Sequence, residues 1–485
     1  MKAARKLLSL RAGFPMKRMK PSLRIGFGAF LSGLAFALVQ HAPPLAAQEI
    51  TEFPLTAASG VPWGIVSGPD GNIWFTELNV DLIGRLKSDG SVAEFPLPPA
   101  SPIPCGAGAV AVGPDGNLWY TRACSGTSAA LGFSWVFSRI GRITPAGGVE
   151  EFPPIGLPND ITPGPDGNLW FADQPEFIGG QIGRISTTGV ITEFPVPAAN
   201  TPWPAGRSYP FSIAAGPDGN LWFTDYLGAQ IGRISPTGNV VMFPLLSSTR
   251  SPGSMTAGPD GALWFTESDQ FDLQGSWIAR MTLDGSVTEF QVPAGGQGLA
   301  TADGSKTIAA GPDGNLWFIE LNANKIGRIT PAGSITEFNI PTPNSGPGPI
   351  TVGLDGNIWF TEWSAKKIGR LKLQTCASAP TDLCLGTPGR FRVTVVWSTK
   401  ASDGIGNAYP ITSNTGAFWF FDPTNLELVV KVLDGRSVDG HFWVFYGSLT
   451  DVEFTLTVTD SQTGAVKTYF NPQGQLASVA DTSAF

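Results

Sequence analysis

Histidine is nearly absent. The 485 residues hold only His41 and His441, so imidazole chemistry has almost no source in this chain. Catalysts that work near neutral pH lean on that side chain as base or metal ligand, and a mechanism here would have to use another group. Charge is sparse too: 14% of residues are charged and the net charge is −8, which argues against a nucleic-acid partner because phosphate binding needs clustered Lys and Arg. The four cysteines fall in no CxxC or Cys/His spacing, which leaves no zinc pattern. After residue 47 no apolar run is long enough to cross a bilayer as a helix, so no membrane span is expected once a leader is removed.

What the chain has in quantity is 60 Gly, 42 Pro and 15 Trp, a mixture that suits turn-rich all-β structure and not a helical protein. Residues 1–47 read as a signal peptide. A basic stretch from Lys2 to Arg24 precedes the apolar run IGFGAFLSGLAFALV and then HAPPLAAQ, with cleavage expected after Ala47. An uncleaved anchor helix is the other reading of that segment. Export to the periplasm or the extracellular space permits disulfides, and Cys105 and Cys124 lie equally far on either side of one Asp-Gly turn. A hairpin there sets the two opposite each other, so a bond between them is expected. Cys376 and Cys384 form a second candidate pair.

One phrase recurs. GPDGNLWF or a variant begins at Gly68, Gly113, Gly164, Gly216, Gly258, Gly311 and Gly353, at spacings of 42 to 53 residues. Each copy is preceded by an EFP-like segment and followed by IGRI or a relative. Strand, Asp-Gly turn, strand, turn, strand, turn and strand fit one copy, and four strands cannot bury both faces alone. Seven such units arranged radially bury each sheet against its neighbours, which predicts a seven-bladed β-propeller over residues 48–374. The series opens on a lone EFP strand and ends on IGRLKL with none after it. The strand Ile50 to Leu55 is therefore expected to complete the last blade as its outer strand. Residues 375–389 read as a linker, and strand-like runs over 390–485 as a β-sandwich-like module that resembles a C-terminal unit of assorted secreted bacterial proteins.

What recurs in every copy is scaffold. The Asp-Gly turns, the Trp and Phe, and the Arg of IGR (Arg280 in the fifth copy) are expected to be structural, the Arg as an ion-pair or stacking partner. The phrase ITEFPLP, GPDGNLWFTE and NKIGRITPAG resembles the virginiamycin B lyase (streptogramin lyase) family over Glu49 to about Leu373. That resemblance implies elimination in a cyclic depsipeptide by a His on the last blade's inner strand. The resemblance further implies a second His in the blade before and Glu side chains near a magnesium ion.

Those positions can be followed, because the inner-strand site falls five residues before each repeat Gly. It holds Trp63, Gly108, Asn159, Phe211, Gly253, Lys306 and Gly348. The catalytic His position is Gly348, the second is Lys306, and the two Glu positions are Gly346 and Trp363, so the resemblance breaks at all four. His41 lies in the leader, and His441 is expected to pack inside the strand HFWVFYG. Lys306 is the one titratable nitrogen among the seven sites. To act as a base it must be neutral, whereas Glu267 and Glu320 nearby favour the charged form.

The loops joining second to third strands and those joining successive blades are expected to share one face, and binding is expected on its long, uneven members. They are RACSGTSAALGFSWVFSR, PAANTPWPAGRSYPF, ESDQFDLQGSW and PAGGQGLATADGSK. Candidate ligand-binding residues on that face are Trp63, Asn159, Asp160, Trp203, Arg207, Tyr209, Phe211, Lys306 and Trp363. Glu77, Asp173, Asp225, Glu267, Glu320 and Glu362 end the second strands of six blades, with Arg122 in the remaining one. They are candidate ligands for Mg or Ca in or near the channel, or else acids paired with nearby bases. Three readings stay open: a non-catalytic monomeric binder of a glycan, peptide or protein; a Mg-dependent carbon–oxygen lyase with a different base; and a metal-dependent lactonase or hydrolase using acids such as Asp160 beside Asn159.

Overall fold

The repeat phrase folds the same way each time, and the third copy shows why. Asp166 and Gly167 make the turn between the first two strands, with Gly167 at φ 75°, a backbone conformation that favours glycine. The Asp166 carboxylate accepts the backbone N–H and side-chain amide of Asn168, and its Oδ1 accepts the Trp170 indole N–H at 2.9 Å. The indole–aspartate bond recurs in all seven copies at 2.9–3.1 Å, from Asp70–Trp74 to Asp355–Trp359. Each of these Trp side chains is buried, and a buried indole N–H without an acceptor would cost about 1–3 kcal/mol.

The computed structural model describes residues 49–485 except 57–59, 100–104, 129–132, 154–155, 175–178, 198–207, 248, 270–274, 294–305, 374–375, 377–378, 387–388 and 462. Seven four-stranded antiparallel sheets span the repeats, six of them running in chain order from inner to outer strand. Blade 3, for example, is Pro158–Pro163, Leu169–Asp173, Gln181–Ile185 and Ile191–Pro195. The seventh is completed from the other end of the repeat series: Ile50–Pro54 pairs with Lys367–Leu371, Ile50 opposite Leu371 and Pro54 opposite Lys367. Apolar clusters fill the space between successive blades. The cluster of Ile65, Ile73, Phe75 and Leu86 with Trp359 and Ile368 joins blade 7 back to blade 1, so the ring closes as a β-propeller.

The IGR phrase serves that packing. A Cβ on Gly183 would lie 2.0 Å from the Phe171 ring, so the third strand stays bare where the second strand's aromatic crosses it. The Arg beside it lies over the Trp and Phe of its own blade in six copies, at 5.1–6.0 Å from the ring centres. In the fifth copy Arg280 pairs with Asp260 at 2.6 Å. Arg85, Arg142 and Arg184 also donate to Pro145, Thr187 and Pro236 carbonyls of the following blade. These arginines stitch and stack; they meet the structural expectation.

Blade 2 departs from the rest. Leu118–Ser128 and Phe133–Ile143 continue as eleven-residue strands, so the stretch expected to be an irregular loop is mostly an extended hairpin. Cys105 faces Cys124 directly across the first ladder and the two form a disulfide, with Cα atoms 4.1 Å apart. Cys376 and Cys384 form the second.

Beyond the propeller, two five-stranded sheets face each other. Alternate residues point inward, among them Val393, Val395 and Trp397 from one sheet and Val430, Val432 and Val444 from the other, and they fuse into one core. Leu383–Leu385, inside the stretch read as a linker, is itself a strand of this module, paired with Phe391–Val393. The one helical segment among the described residues is a single turn, Arg436–Asp439. The module sits on blade 6. Arg390 makes a two-pronged ion pair with Asp460 and donates to the Asp313 carbonyl at 2.7 Å. As a result Asp313 is 1% exposed, while its counterparts in the other turns are exposed or partly so.

Candidate functional site

Around the axis the inner strands are not regular. In six blades the ladder between first and second strand slips, between Pro62 and Ile65, Ala107 and Val110, Pro158 and Asp160, Pro210 and Ile213, Pro252 and Met255, and Pro347 and Ile350. Each bulge falls on the position five before the repeat Gly. A bulge leaves a backbone N–H unpaired and re-aims its side chain. The Thr of LWFT supplies the missing acceptor: Thr76, Thr121, Thr224 and Thr266 hydroxyls accept from Gly64, Ala109, Ser212 and Ser254 at 2.8–3.0 Å.

Blade 3 has Ala172 where five of the others have Thr (blade 6 has Ile319), and there Asp160 takes over. Its carboxylate is fully buried and accepts Ile161 N–H at 2.8 Å, Ser212 O–H at 2.9 Å and Ile213 N–H at 3.0 Å, the last two from blade 4. Lys306 of blade 6 reaches it across the channel: Nζ lies 3.6 Å from Asp160 Oδ1 and donates to the Ile161 carbonyl at 3.1 Å. Burial raises the Asp160 pKa, a push opposed by Lys306 and by the three hydrogen bonds. The pair is a strut between opposite blades. The acids expected beside Lys306, Glu267 and Glu320, instead face acids of their own blades; its partner is Asp160.

The strut lines a small pocket with Trp63, Asn159 and Pro349, so the structure brings together four of the candidate residues: Trp63, Asn159, Asp160 and Lys306. Phe211 is buried, with Tyr226 tilted against its ring and Tyr209 stacked on it, and forms an aromatic cluster outside that pocket. Trp203 and Arg207 lie outside the described residues, as do most of the blade 3–4 and 5–6 loops and the tip of ESDQFDLQGSW. Trp363 closes the seventh-blade position. A Cβ on Gly346, whose φ is +65°, would lie 2.8 Å from the Trp363 ring, and one on Gly348 would lie 2.7 Å from Thr361 Oγ1. His441 is exposed ahead of its strand and not packed within it; its backbone N–H donates to Asp439.

The second-strand acids do not converge on the channel. Among the described residues no three His, Cys, Asp or Glu side chains come together as a metal site. Each acid is buried inside its own blade, and all but Asp225 lie beside the Glu of the outer strand. Burial, and then Glu193, pushes Asp173 to about 7. Burial and Glu289 push Glu267 to about 8. Burial with Glu337 moves Glu320, and with Glu52 moves Glu362, each to about 7. Glu77 is raised by burial while accepting Gly60 N–H. Asp225 has Met242 in place of the outer acid and is bound by Tyr209 N–H, Gly228 N–H and Gln230. Blade 2 inverts the charge: Arg122 pairs with Asp81 and Glu151, each at 2.5 Å. The sequence located these acids but not their direction. The signal lay in the EFP Glu of the same copy, which recurs with them.

A divalent cation does not fit the axial pocket as built. Its one carboxylate, Asp160, is spent on three donors and an ammonium, and hard cations need several free oxygens.

Comparison with known proteins adds a family. The sequence pattern of the virginiamycin B lyase family matches residues 45–201, 124–294 and 198–381. A 52-residue stretch is 48% identical to virginiamycin B lyase of Bordetella bronchiseptica; it covers 11% of this chain and spans only 17% of that relative's length. Among solved structures, a streptogramin B lyase superposes with TM-score 0.55 at 32% identity, covering 69% of this chain and all of that one (100%). A catalytically inactive virginiamycin B lyase from Staphylococcus aureus with quinupristin superposes with TM-score 0.53 at 32% identity, covering 67% of this chain and 100% of that one.

Proposed function

The chain belongs to the virginiamycin B lyase family, and from that premise we propose that it is an exported propeller that binds a ligand on its loop-bearing face without eliminating across it. The observation that carries this reading is the seventh-blade position. Where the family resemblance calls for a catalytic His the chain has Gly348, and Trp363 packs against Gly346 where it calls for a Glu. Elimination needs a base that takes a carbon-bound proton and an electrophile that holds the developing negative charge. The one amine at an equivalent position, Lys306, is committed to Asp160 and a carbonyl, so it acts as a strut and not as a free base. Two disulfides are compatible with export.

The pocket left beside the strut suits an uncharged or zwitterionic group. Trp63 offers an apolar face and Asn159 an amide, and the Lys306 side chain is 29% exposed. A glycan or peptide fits that chemistry better than an anion, because Asp160 already offsets the one cation. The deciding experiment incubates the mature protein with a type B streptogramin and Mg²⁺. No ring-opened product is expected. Product that disappears in a folded Lys306→Ala variant would instead establish a lyase with a new base.

A further inference from the structure

Ring closure in this fold depends on a strand with no covalent hairpin to its neighbour. In six blades the outer strand follows the third directly; in the seventh it is Ile50–Pro54, held to Lys367–Leu371 by the ladder and by the side chains behind it. The polar group behind it is Glu52. It accepts Thr342 N–H at 2.9 Å, Thr342 O–H at 2.6 Å and Lys367 Nζ at 2.7 Å. Beside it lies Glu362, fully buried on the second strand, whose carboxyl oxygens make no close hydrogen bond; the one hydroxyl near them, Ser345, is given to Asn324 at 3.1 Å and opposes the upward push only in part. A carboxyl in that position gains a close partner by carrying a proton of its own and donating it to Glu52.

We propose that the clasp is pH-gated: strand Ile50–Pro54 stays seated while Glu362 carries a proton to share with Glu52, and loosens when that proton is lost. Once it is lost, a buried and a partly buried carboxylate face one ammonium, Lys367. The surroundings offer no second cation, and one hydroxyl, Ser345, gives weak compensation. The neighbouring inner strands Val61–Ser67 and Pro347–Val352 bring no charged side chain, and Ser345 is hydrogen-bonded to Asn324. Arg370 lies on the opposite face, over Phe53 and Trp359, and Lys366 lies near Glu77 of blade 1. For Glu52, burial acts upward but hydrogen bonds from Lys367 and Thr342 outweigh it and hold the group below the usual range. The proton therefore resides on Glu362, which burial and Glu52 push to about 7 from an ordinary 4.5. The sign follows from a folded value above the unfolded one. The stabilisation is whole below the unfolded value and is lost as pH rises to and through the folded one.

Hydrogen–deuterium exchange on the mature chain tests this. Opening of 50–54 is compared with opening of the blade 2 outer strand Val149–Glu151, after correction for intrinsic exchange at each pH. That reference has Arg122 in place of the buried acid, so no proton is shared there. The opening ratio is expected to rise by up to about tenfold per pH unit between about pH 5 and 7, then level off. Glu362→Gln should flatten it. A ratio that stays constant, or falls, with pH overturns the proposal, and the wild-type comparison alone decides if the variant fails to fold.

Discussion

At the scale of single residues, the repeat phrase ties each turn to its core through one bond, aspartate to indole. The Asp carboxylates of these turns are held low: for Asp70, Asp115, Asp166 and Asp218, burial acts upward, but hydrogen bonds from the following Asn and Trp outweigh it. A depressed folded value gives stability that is present above the unfolded value and lost as pH falls through the folded one. The acids inside the blades act oppositely: Asp173, Glu320 and Glu362 at about 7 and Glu267 at about 8 cost stability as pH rises toward neutrality. Thermal melting across pH should therefore peak between about 4.5 and 6, with a fall on each side. Glu267→Gln should raise the melting temperature at pH 8 relative to wild type and leave it nearly unchanged at pH 5. Equal shifts at both pH values would make the residue a packing element and not a titrating one.

At the scale of elements, the inner-strand bulge and its Thr partner form a unit. Thr266→Val keeps the shape but removes the acceptor from the buried Ser254 N–H, an expected loss of about 1–3 kcal/mol read by urea unfolding. The Cys105–Cys124 bond closes a loop of sequence separation 19 and joins directly opposed residues. Replacing both by serine is expected to cost about 3 kcal/mol by the loop-entropy relation, measured under non-reducing conditions. Lys306→Ala should be costly too, about 3–5 kcal/mol, because it leaves Asp160 buried without its counter-charge. If Lys306→Ala melts like wild type, the strut carries no load and the axial reading fails.

At the scale of the molecule, closure and docking each rest on few contacts. A chain starting at residue 57 lacks Ile50–Pro54, so Lys367–Leu371 becomes an open edge and the Phe53 ring stacked on Trp359 is gone. Its melting should fall sharply against the mature chain. The module's hold on blade 6 centres on Arg390, which is 8% exposed. Arg390→Ala removes the hydrogen bond to Asp313 and the two-pronged ion pair with Asp460, and limited proteolysis should then cut between propeller and module faster than in wild type.

Local chemistry was enough to determine the repeat, the strands, the turns, the closing strand and the Cys105–Cys124 pair, because each depends on residues close in sequence or at a fixed spacing. The inner-strand positions, Trp63, Asn159 and Lys306 among them, can also be counted from the repeat Gly. Which way a side chain points, and what it meets from another blade, was decided only by tertiary structure. Glu362 resembles a channel ligand because it ends a strand, but the seventh blade sets it beside Glu52, 310 positions away in the chain. Lys306 was expected to feel Glu267 and Glu320, its neighbours along the repeat, but the ring set Asp160 opposite it. Contacts across an axis carry no signature in a local phrase, since the phrase specifies a blade and the blades' common centre exists only once all seven have closed.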